Sequence, residues 1–338
     1  MLDPAASFQE HDQEFFEREL AAFLPERVFD MHCHLWNRES NRAMTPPGFP
    51  EDVGCDEYLK LIEPVFPGRE VGAWILPTVA LRDPETSLLQ SEWVSDTIAG
   101  RPRFAGAFLI RPGDDPEWVR EQGKRLGLRG LKCYHTFSRT KPTWEADIPE
   151  YLPEELVRVA HEEGWIITLH MVKSRAVADP GNQHWIRHYC ETYPDMRLVL
   201  AHSARGFQPA HNFDGLPALR GLDNLYFDSS ANCDAMAHVA ILKIIGHERF
   251  MMGTDFGPAS HQHGRSVPVA DTFLWLYDDA PVWQEKHTTI RPVLIILEHL
   301  RSLKWACQAV GLTDRQVEGV FHDNAARLLG LDQASPPH

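Results

Sequence analysis

Apolar residues along the chain fall into two alternating rhythms. Phe8, Phe15, Phe16, Leu20, Phe23 and Leu24 recur at helical spacing. After Pro25 come short apolar runs rich in β-branched and aromatic residues: Arg27–Leu35, Gly72–Val79, Arg103–Ile110, Leu128–Tyr134, Trp165–His170, Arg197–His202, Asn224–Ser229 and Arg249–Asp255. Helical segments separate them. Asp114-Asp115-Pro116-Glu117 offers a cap followed by proline in the first turn, and Gly164 closes a helix that opens at Pro153-Glu154-Glu155. Near-continuous strands alternating with amphipathic helices predict a parallel sheet covered by helices. Eight such units predict an α/β fold of the closed (β/α)8 TIM-barrel type. An open doubly wound sheet is the alternative, weakened because no glycine-rich dinucleotide fingerprint follows the first strand.

The predicted organisation is one barrel domain, residues 27–331, preceded by a helical segment, 1–26, and followed by a short tail, 332–338. Long loops are expected after strands one (Trp36 to about Val71), four (Thr136 to Tyr151) and eight (Phe256 to about Ile290). All emerge at the C-terminal mouth, where loops form substrate walls.

Composition narrows the class. A hydrophobic fraction of 43% and a charged fraction of 24% are those of a globular domain. A formal charge of −15 argues against nucleic acid and anionic membrane as partners, since both require a basic surface. Neither a secretory leader nor an apolar run long enough for a membrane span is visible, and the six cysteines show no paired spacing. These features predict a cytoplasmic enzyme with reduced thiols, acting on a small molecule. A homo-oligomer is expected from its size.

Chemistry concentrates at the strand ends. Strand one ends Phe29-Asp30-Met31-His32-Cys33-His34, and on an extended chain His32 and His34 face one side while Cys33 faces the other. Strand five ends in His170, strand six in His202 and strand eight in Gly253-Thr254-Asp255. Any one of these histidines alone would pass as a hydrogen-bonded structural residue. Converging at one mouth, imidazole nitrogens and a carboxylate suit a divalent ion, zinc first, with manganese or iron as alternatives. Asp228, ending strand seven, is placed to orient a ligand histidine. Arg175 and Arg205 on the mouth loops are candidate carboxylate anchors. Trp36, Tyr134 and His135 are candidate substrate walls. His261 and His263, in the last long loop, are given no role. His184, His188, His238, His247 and His299 fall on helical stretches and read as ordinary helix residues.

The chain resembles the amidohydrolase superfamily, in particular the branch that holds amino-carboxymuconate-semialdehyde and resorcylate decarboxylases beside true hydrolases. The resemblance rests on Asp30-Met31-His32-Cys33-His34, His170, Leu200-Ala201-His202-Ser203, Gly253-Thr254-Asp255-Phe256 and Phe321-His322-Asp323-Asn324-Ala325-Ala326-Arg327-Leu328-Leu329. It implies a metal at the barrel mouth, with His32, His34, His170 and Asp255 as ligands in the mononuclear version and His202 acting on substrate. Strand four reads Gly130-Leu131-Lys132-Cys133-Tyr134-His135. A lysine here resembles the carboxylated lysine that bridges two metals in hydantoinase-like and phosphotriesterase-like members, in which case His170 and His202 would hold a second ion. In the other reading Lys132 keeps its ammonium and binds a substrate carboxylate or pairs with an acid. One or two ions per chain are therefore expected. Three functions follow in order. The first is hydrolysis of an amide, lactone or ester bond in a small acidic substrate, with Asp255 as general base towards metal-activated water. The second is non-oxidative decarboxylation or hydration of an unsaturated or aromatic acid. The third is a metal-free relative, against which the intact ligand set argues.

Overall fold

The computed structural model describes residues 8–41, 50–78, 84–257, 264–269, 272–277 and 291–331. Eight parallel strands form a ring: β1 Arg27–His34, β2 Glu70–Leu76, β3 in two segments (Phe104–Gly106 and Phe108–Leu109), β4 Gly130–Cys133, β5 Ile166–Leu169, β6 Arg197–Leu200, β7 Leu225–Asp228 and β8 Phe250–Met251. Each pairs in parallel with the next. The seam between first and last is closed by Met31 N to Met252 O (2.9 Å), Asp255 N to His32 O (2.7 Å) and His34 N to Phe256 O (2.8 Å), with a parallel bridge between Cys33 and Phe256. The structure is the predicted closed barrel. Its sixth and eighth strands stop before His202 and Asp255, which stand on the turns beyond them.

Alternation along the strands sorts side chains into two cores. Phe29, Met31, Trp74, Leu76, Ala105, Ala107, Ile166, Val199 and Met251 pack inside the ring against Ala325, Leu328 and Leu329 of the C-terminal helix Asn324–Leu329. Residues of opposite parity join the larger core under the outer helices. Alternation breaks once in β1. Asp30 pairs with Ala73 and Cys33 with Ile75, so the strand carries an extra residue between them. Such a bulge turns neighbouring residues to one side. Met31 can therefore fill the interior while His32 and His34 both reach the mouth.

The outer helices begin and end where local chemistry directs. Asp115 caps Pro116–Arg125 by accepting from Trp118 N at 2.9 Å, and Gly164, at φ 63°, ends Glu154–Glu163. Helix Glu10–Glu19 of the N-terminal segment docks through buried Asp12, which accepts from Arg265 Nη1 (2.9 Å) and Leu294 N (3.1 Å). The long connection after β1 carries the helix Cys55–Ile62, and the one after β4 holds three short 3-10 turns. Past β8 an antiparallel hairpin is formed by β9 Gly264–Val269 and β10 Thr272–Tyr277, with β11 Val293–Leu294 beside it. All six cysteines are buried free thiols. Among the described residues no helix is long and apolar enough to cross a membrane.

Candidate metal centre and active site

The mouth is built from the ends of β1, β4, β5, β6, β7 and β8. His32 Nε2 lies 3.5 Å and His34 Nε2 3.4 Å from the same oxygen, Asp255 Oδ1. The opposite ring nitrogens are committed. His32 Nδ1 donates to Asp228 Oδ2 at 2.9 Å and His34 Nδ1 donates to the Leu76 carbonyl at 3.0 Å. With their protons so placed, both Nε2 atoms turn lone pairs towards a carboxylate oxygen. Acceptors gathered in this way repel unless positive charge sits among them; Lys132 Nζ, 3.4 Å from His32 Nε2, meets part of that need, and the nitrogen and oxygen donor set also fits a divalent ion. All three residues are buried, and their ligating atoms lie within 4.8 Å of one another.

Close approach makes the arrangement possible. A Cβ at Gly253 would lie 2.9 Å from that of His32, so only glycine lets β8 run this near β1. Asp30 fastens the same seam from behind. Its buried carboxyl accepts from Thr254 N (2.7 Å), Thr254 Oγ1, His32 N (3.1 Å) and Tyr58 Oη (3.0 Å). Burial raises Asp30 to about 7 against those donors. Burial also works to raise Asp255, but the His34 contact and the charges that His32 and His202 can carry outweigh it and leave the carboxyl at about 2.

Asp228 orients two histidines at once. Beyond its bond to His32, its Oδ1 accepts from His202 N (3.1 Å), Ser230 N (3.0 Å) and Ser230 Oγ. With the Ser230 proton spent on Asp228, Ser230 Oγ accepts from His202 Nδ1 at 2.9 Å, and the Ser230 carbonyl lies at 3.2 Å. The His202 tautomer follows: the proton is on Nδ1 and the lone pair on Nε2. Burial and nearby Lys132 lower its basicity, partly offset by Asp255 and Asp228. His202 is therefore neutral near pH 7.

His202 opens an unusual turn. His202, Ser203, Ala204 and Arg205 have φ of 58°, 52°, 57° and 56°, a left-handed stretch without glycine. This conformation costs L-residues about 1–2 kcal/mol each. Asp255 shares it, at φ 56°. Strain gathered at a mouth marks a functional region.

Other expected residues are placed differently. His170 lies beside His202, ring centroids 4.8 Å apart, but its Nε2 accepts from Arg205 Nη1 at 3.1 Å. It is not among the group His32, His34 and Asp255 whose ligating atoms lie within 4.8 Å of one another. Lys132 is fully buried, with Nζ 3.4 Å from His32 Nε2 and 5.0 Å above the Tyr134 ring. Burial pulls its ammonium down to about 8, although Asp255 and Asp228 draw it up. Tyr134, partly exposed, donates to the Pro77 carbonyl at 2.7 Å and turns its ring towards Lys132 Nζ. Trp36 is not a mouth wall. It is 1% exposed, stacked on Phe256 in the outer core, with Nε1 donating to Pro50 O. Apolar packing under the β1 loop draws it there. Arg175 points outward, more than half exposed, with Asp214 at 3.8 Å. His261 and His263 lie outside the described residues.

Arg205 remains at the mouth, stacked 4.8 Å over the Trp144 ring, which in turn lies 4.3 Å from the buried ring of His135. Trp144, Lys173, Arg205, Phe207 and His211 line a cavity of about 340 Å³ beside the site. Phe207 also stacks on His202, at 5.9 Å. Sequence reasoning missed Trp144, Phe207, Ser230 and Asp30. The first two lie on loops without periodicity. Asp30 precedes His32 by two residues and Ser230 follows Asp228 by two, a spacing that puts each beside a strand-end site residue.

Solved structures share this architecture at low identity. A protein from Pseudomonas putida described as a 2-pyrone-4,6-dicarboxylic acid hydrolase has 17% identity and a TM-score of 0.54, covering 91% of this chain and 99% of its own. The 4-oxalomesaconate hydratase of Rhodopseudomonas palustris has 13% and 0.56, covering 91% and 97%. A dihydroxybenzoic acid decarboxylase from Polaromonas, with bound manganese, has 14% and 0.52, covering 92% and 98%. At such identities the likeness is one of fold. No curated protein sequence matches. The family profile described as amidohydrolase matches residues 29–331, nearly the whole barrel and every strand-end residue above, and the chain therefore belongs to the amidohydrolase family of enzymes.

Proposed function

We propose that the protein is a single-metal hydrolase that cleaves an ester, lactone or amide bond in a small acidic substrate. The observation that carries this reading is the tautomer of His202, a neutral imidazole with its lone pair on Nε2, backed by Ser230 and Asp228 beside the convergent acceptor group. His32 Nε2, His34 Nε2 and the Asp255 carboxylate would hold the ion. A divalent cation there would polarise oxygen and bring the pKa of water towards about 7. Zinc and manganese both suit nitrogen–oxygen donors, and the manganese of the Polaromonas relative adds weight to the second.

The chain's own groups divide the remaining work. His202 Nε2 accepts a proton from the attacking water, and the resulting imidazolium is stabilised by Asp228 through Ser230. The same nitrogen then protonates the leaving group. Asp255 serves as ligand in this reading, and the proton-accepting role first expected of it is given to His202, whose Nδ1 proton is held by Ser230. Lys132 and Arg205 supply the positive charge that favours a carboxylate-bearing substrate. A bridging carbamate on Lys132 is disfavoured because His170, needed for a second ion, is engaged by Arg205.

Decarboxylation or hydration of an unsaturated acid is the second reading, favoured by the same Lys132 and Arg205 charges. It ranks lower for decarboxylation because a neutral His202 has no proton to give at the outset. The test joins elemental analysis to product analysis. Purified protein should carry one divalent ion per chain, lost in His32→Ala/His34→Ala. Turnover of a panel of lactones, esters and amides bearing carboxylates should place ¹⁸O from labelled water in the product with no carbon dioxide released. Carbon dioxide release without ¹⁸O incorporation would select the decarboxylase, and metal-free protein with full turnover would refute both.

A further inference from the structure

The strained turn after β6 places both His202 and Arg205, yet nothing in its sequence favours a left-handed path. Its support lies behind it, in a buried polar network outside the metal centre. Ser203 Oγ is 2.8 Å from His238 Nδ1, on helix Ala235–Ile244. The other nitrogen, His238 Nε2, lies 3.1 Å from the Asn232 carbonyl and 3.1 Å from Ser302 Oγ. Ser302 gives its own proton to the His299 carbonyl at 2.7 Å, leaving its oxygen to accept. Both partners of Nε2 are therefore acceptors, so Nε2 carries the proton and Nδ1 accepts from the Ser203 hydroxyl. Asn212 Nδ2 completes the grip by donating to the Ser203 carbonyl at 2.8 Å and to Ala237 O at 3.3 Å. Ser203, Asn212, His238 and Ser302 are all buried, so water cannot replace these bonds.

We propose that His238 is a positioning residue: its bond to Ser203, together with the Asn212 clamp, holds the left-handed turn and thereby sets where the His202 ring and the Arg205 guanidinium stand. The inference rests on the reading of His202 as the proton-handling group, and it assigns the helix after β7 a part in the site that no substrate contact requires. Two rank orders follow. Ser203→Ala removes one oxygen and leaves the backbone cost in place, whereas Ser203→Gly removes the same oxygen and most of that cost. Anchoring predicts that glycine outperforms alanine, and simple packing predicts the reverse. Likewise His238→Asn keeps an acceptor for Ser203, whereas His238→Leu keeps the bulk and loses it.

Each folded variant should be read by the ¹⁵N resonances of the His202 ring and by turnover. The wild-type resonances should persist in Ser203→Gly and His238→Asn, with turnover within about threefold. They should move or split in Ser203→Ala and His238→Leu, with turnover down about tenfold, the scale of one buried hydrogen bond. Should Ser203→Ala fail to fold, the His238 pair decides alone. If alanine equals or exceeds glycine at position 203, or leucine equals asparagine at 238, the proposal is overturned. Resonances that follow the predicted order without turnover on any substrate would uphold the positioning and count against the hydrolase reading instead.

Discussion

At the scale of single residues, Lys132 separates the two versions of the site. Its ammonium lies 3.4 Å from His32 Nε2, close enough to share the lone pair that a cation would use. A bridging carbamate would make it an anion between two ions, whereas the free amine is only a charge beside one. Lys132→Ala should therefore keep one ion per chain by elemental analysis and raise KM for a carboxylate substrate about tenfold or more, with a smaller change for an uncharged analogue. A drop from two ions to one, with rescue by bicarbonate, would restore the bridge. The sequence already presented Lys132 as a choice between these readings. It could not rank them, because the contact that bears on the choice, Arg205 on His170, arises from a turn that the sequence does not announce.

Among the elements, the turn after β6 shows why some of the site was hidden. Ser203, Ala204 and Arg205 carry no left-handed signature, and an apolar run ending in His202 reads simply as a strand to its last residue. The bulge in β1 was equally invisible. Alternation alone placed His32 and His34 together correctly, but could not show that Met31 shares their side. His238 and His299 read as ordinary helix residues, since helical spacing marks a buried face without saying what it touches. Strands, caps and the closing glycine at 164 were legible because each depends on nearby residues; the polar network depends on four segments meeting. The strain itself can be tested at Ala204, whose Cβ is not needed for any bond described here. Ala204→Gly should raise stability by about 1 kcal/mol, seen as a higher midpoint in urea with an unchanged slope. A lower midpoint would mean that Ala204 packing outweighs its backbone cost.

For the whole molecule, the crowd of buried histidines governs pH behaviour. Burial holds His238 at about 4 and His299 at about 3, and it lowers His32, His170 and His202 as well. Each is neutral in the fold, while its unfolded counterpart takes a proton below about 6.5. The unfolded chain thus binds more protons as pH falls, and stability present above 6.5 is lost between there and the folded values. Asp30 works the other way. Raised to about 7, it favours the fold as pH drops from 7 towards 4, but it is one group against several. Lys132, held at about 8 by burial, adds an effect opposite to that of Asp30 on the alkaline side, because above that value the unfolded chain keeps a proton that the fold has lost. Chelator-treated protein should therefore show a urea midpoint that rises slightly from pH 7 to 8.5. Stability should then decline below 6.5, each histidine contributing up to about 1 kcal/mol per pH unit. A midpoint that is flat down to pH 5 would contradict the buried neutral network.

The seam between the first and last strands carries a consequence for how the chain comes into being. Thr254 and Asp30, which lock that seam, are 224 positions apart. A ribosome that has released the first two hundred residues has produced His32 and His34 but no carboxylate to complete the set and no last strand to close the ring. Earlier strands can pair with their neighbours as they emerge, yet the two imidazoles that begin the site must wait for nearly all the synthesis to finish. If the group holds an ion as proposed, its capture would be a late event that reports on a completed barrel, and a nascent chain stalled before Gly253 would present two histidines at an open edge without the carboxylate that completes the set.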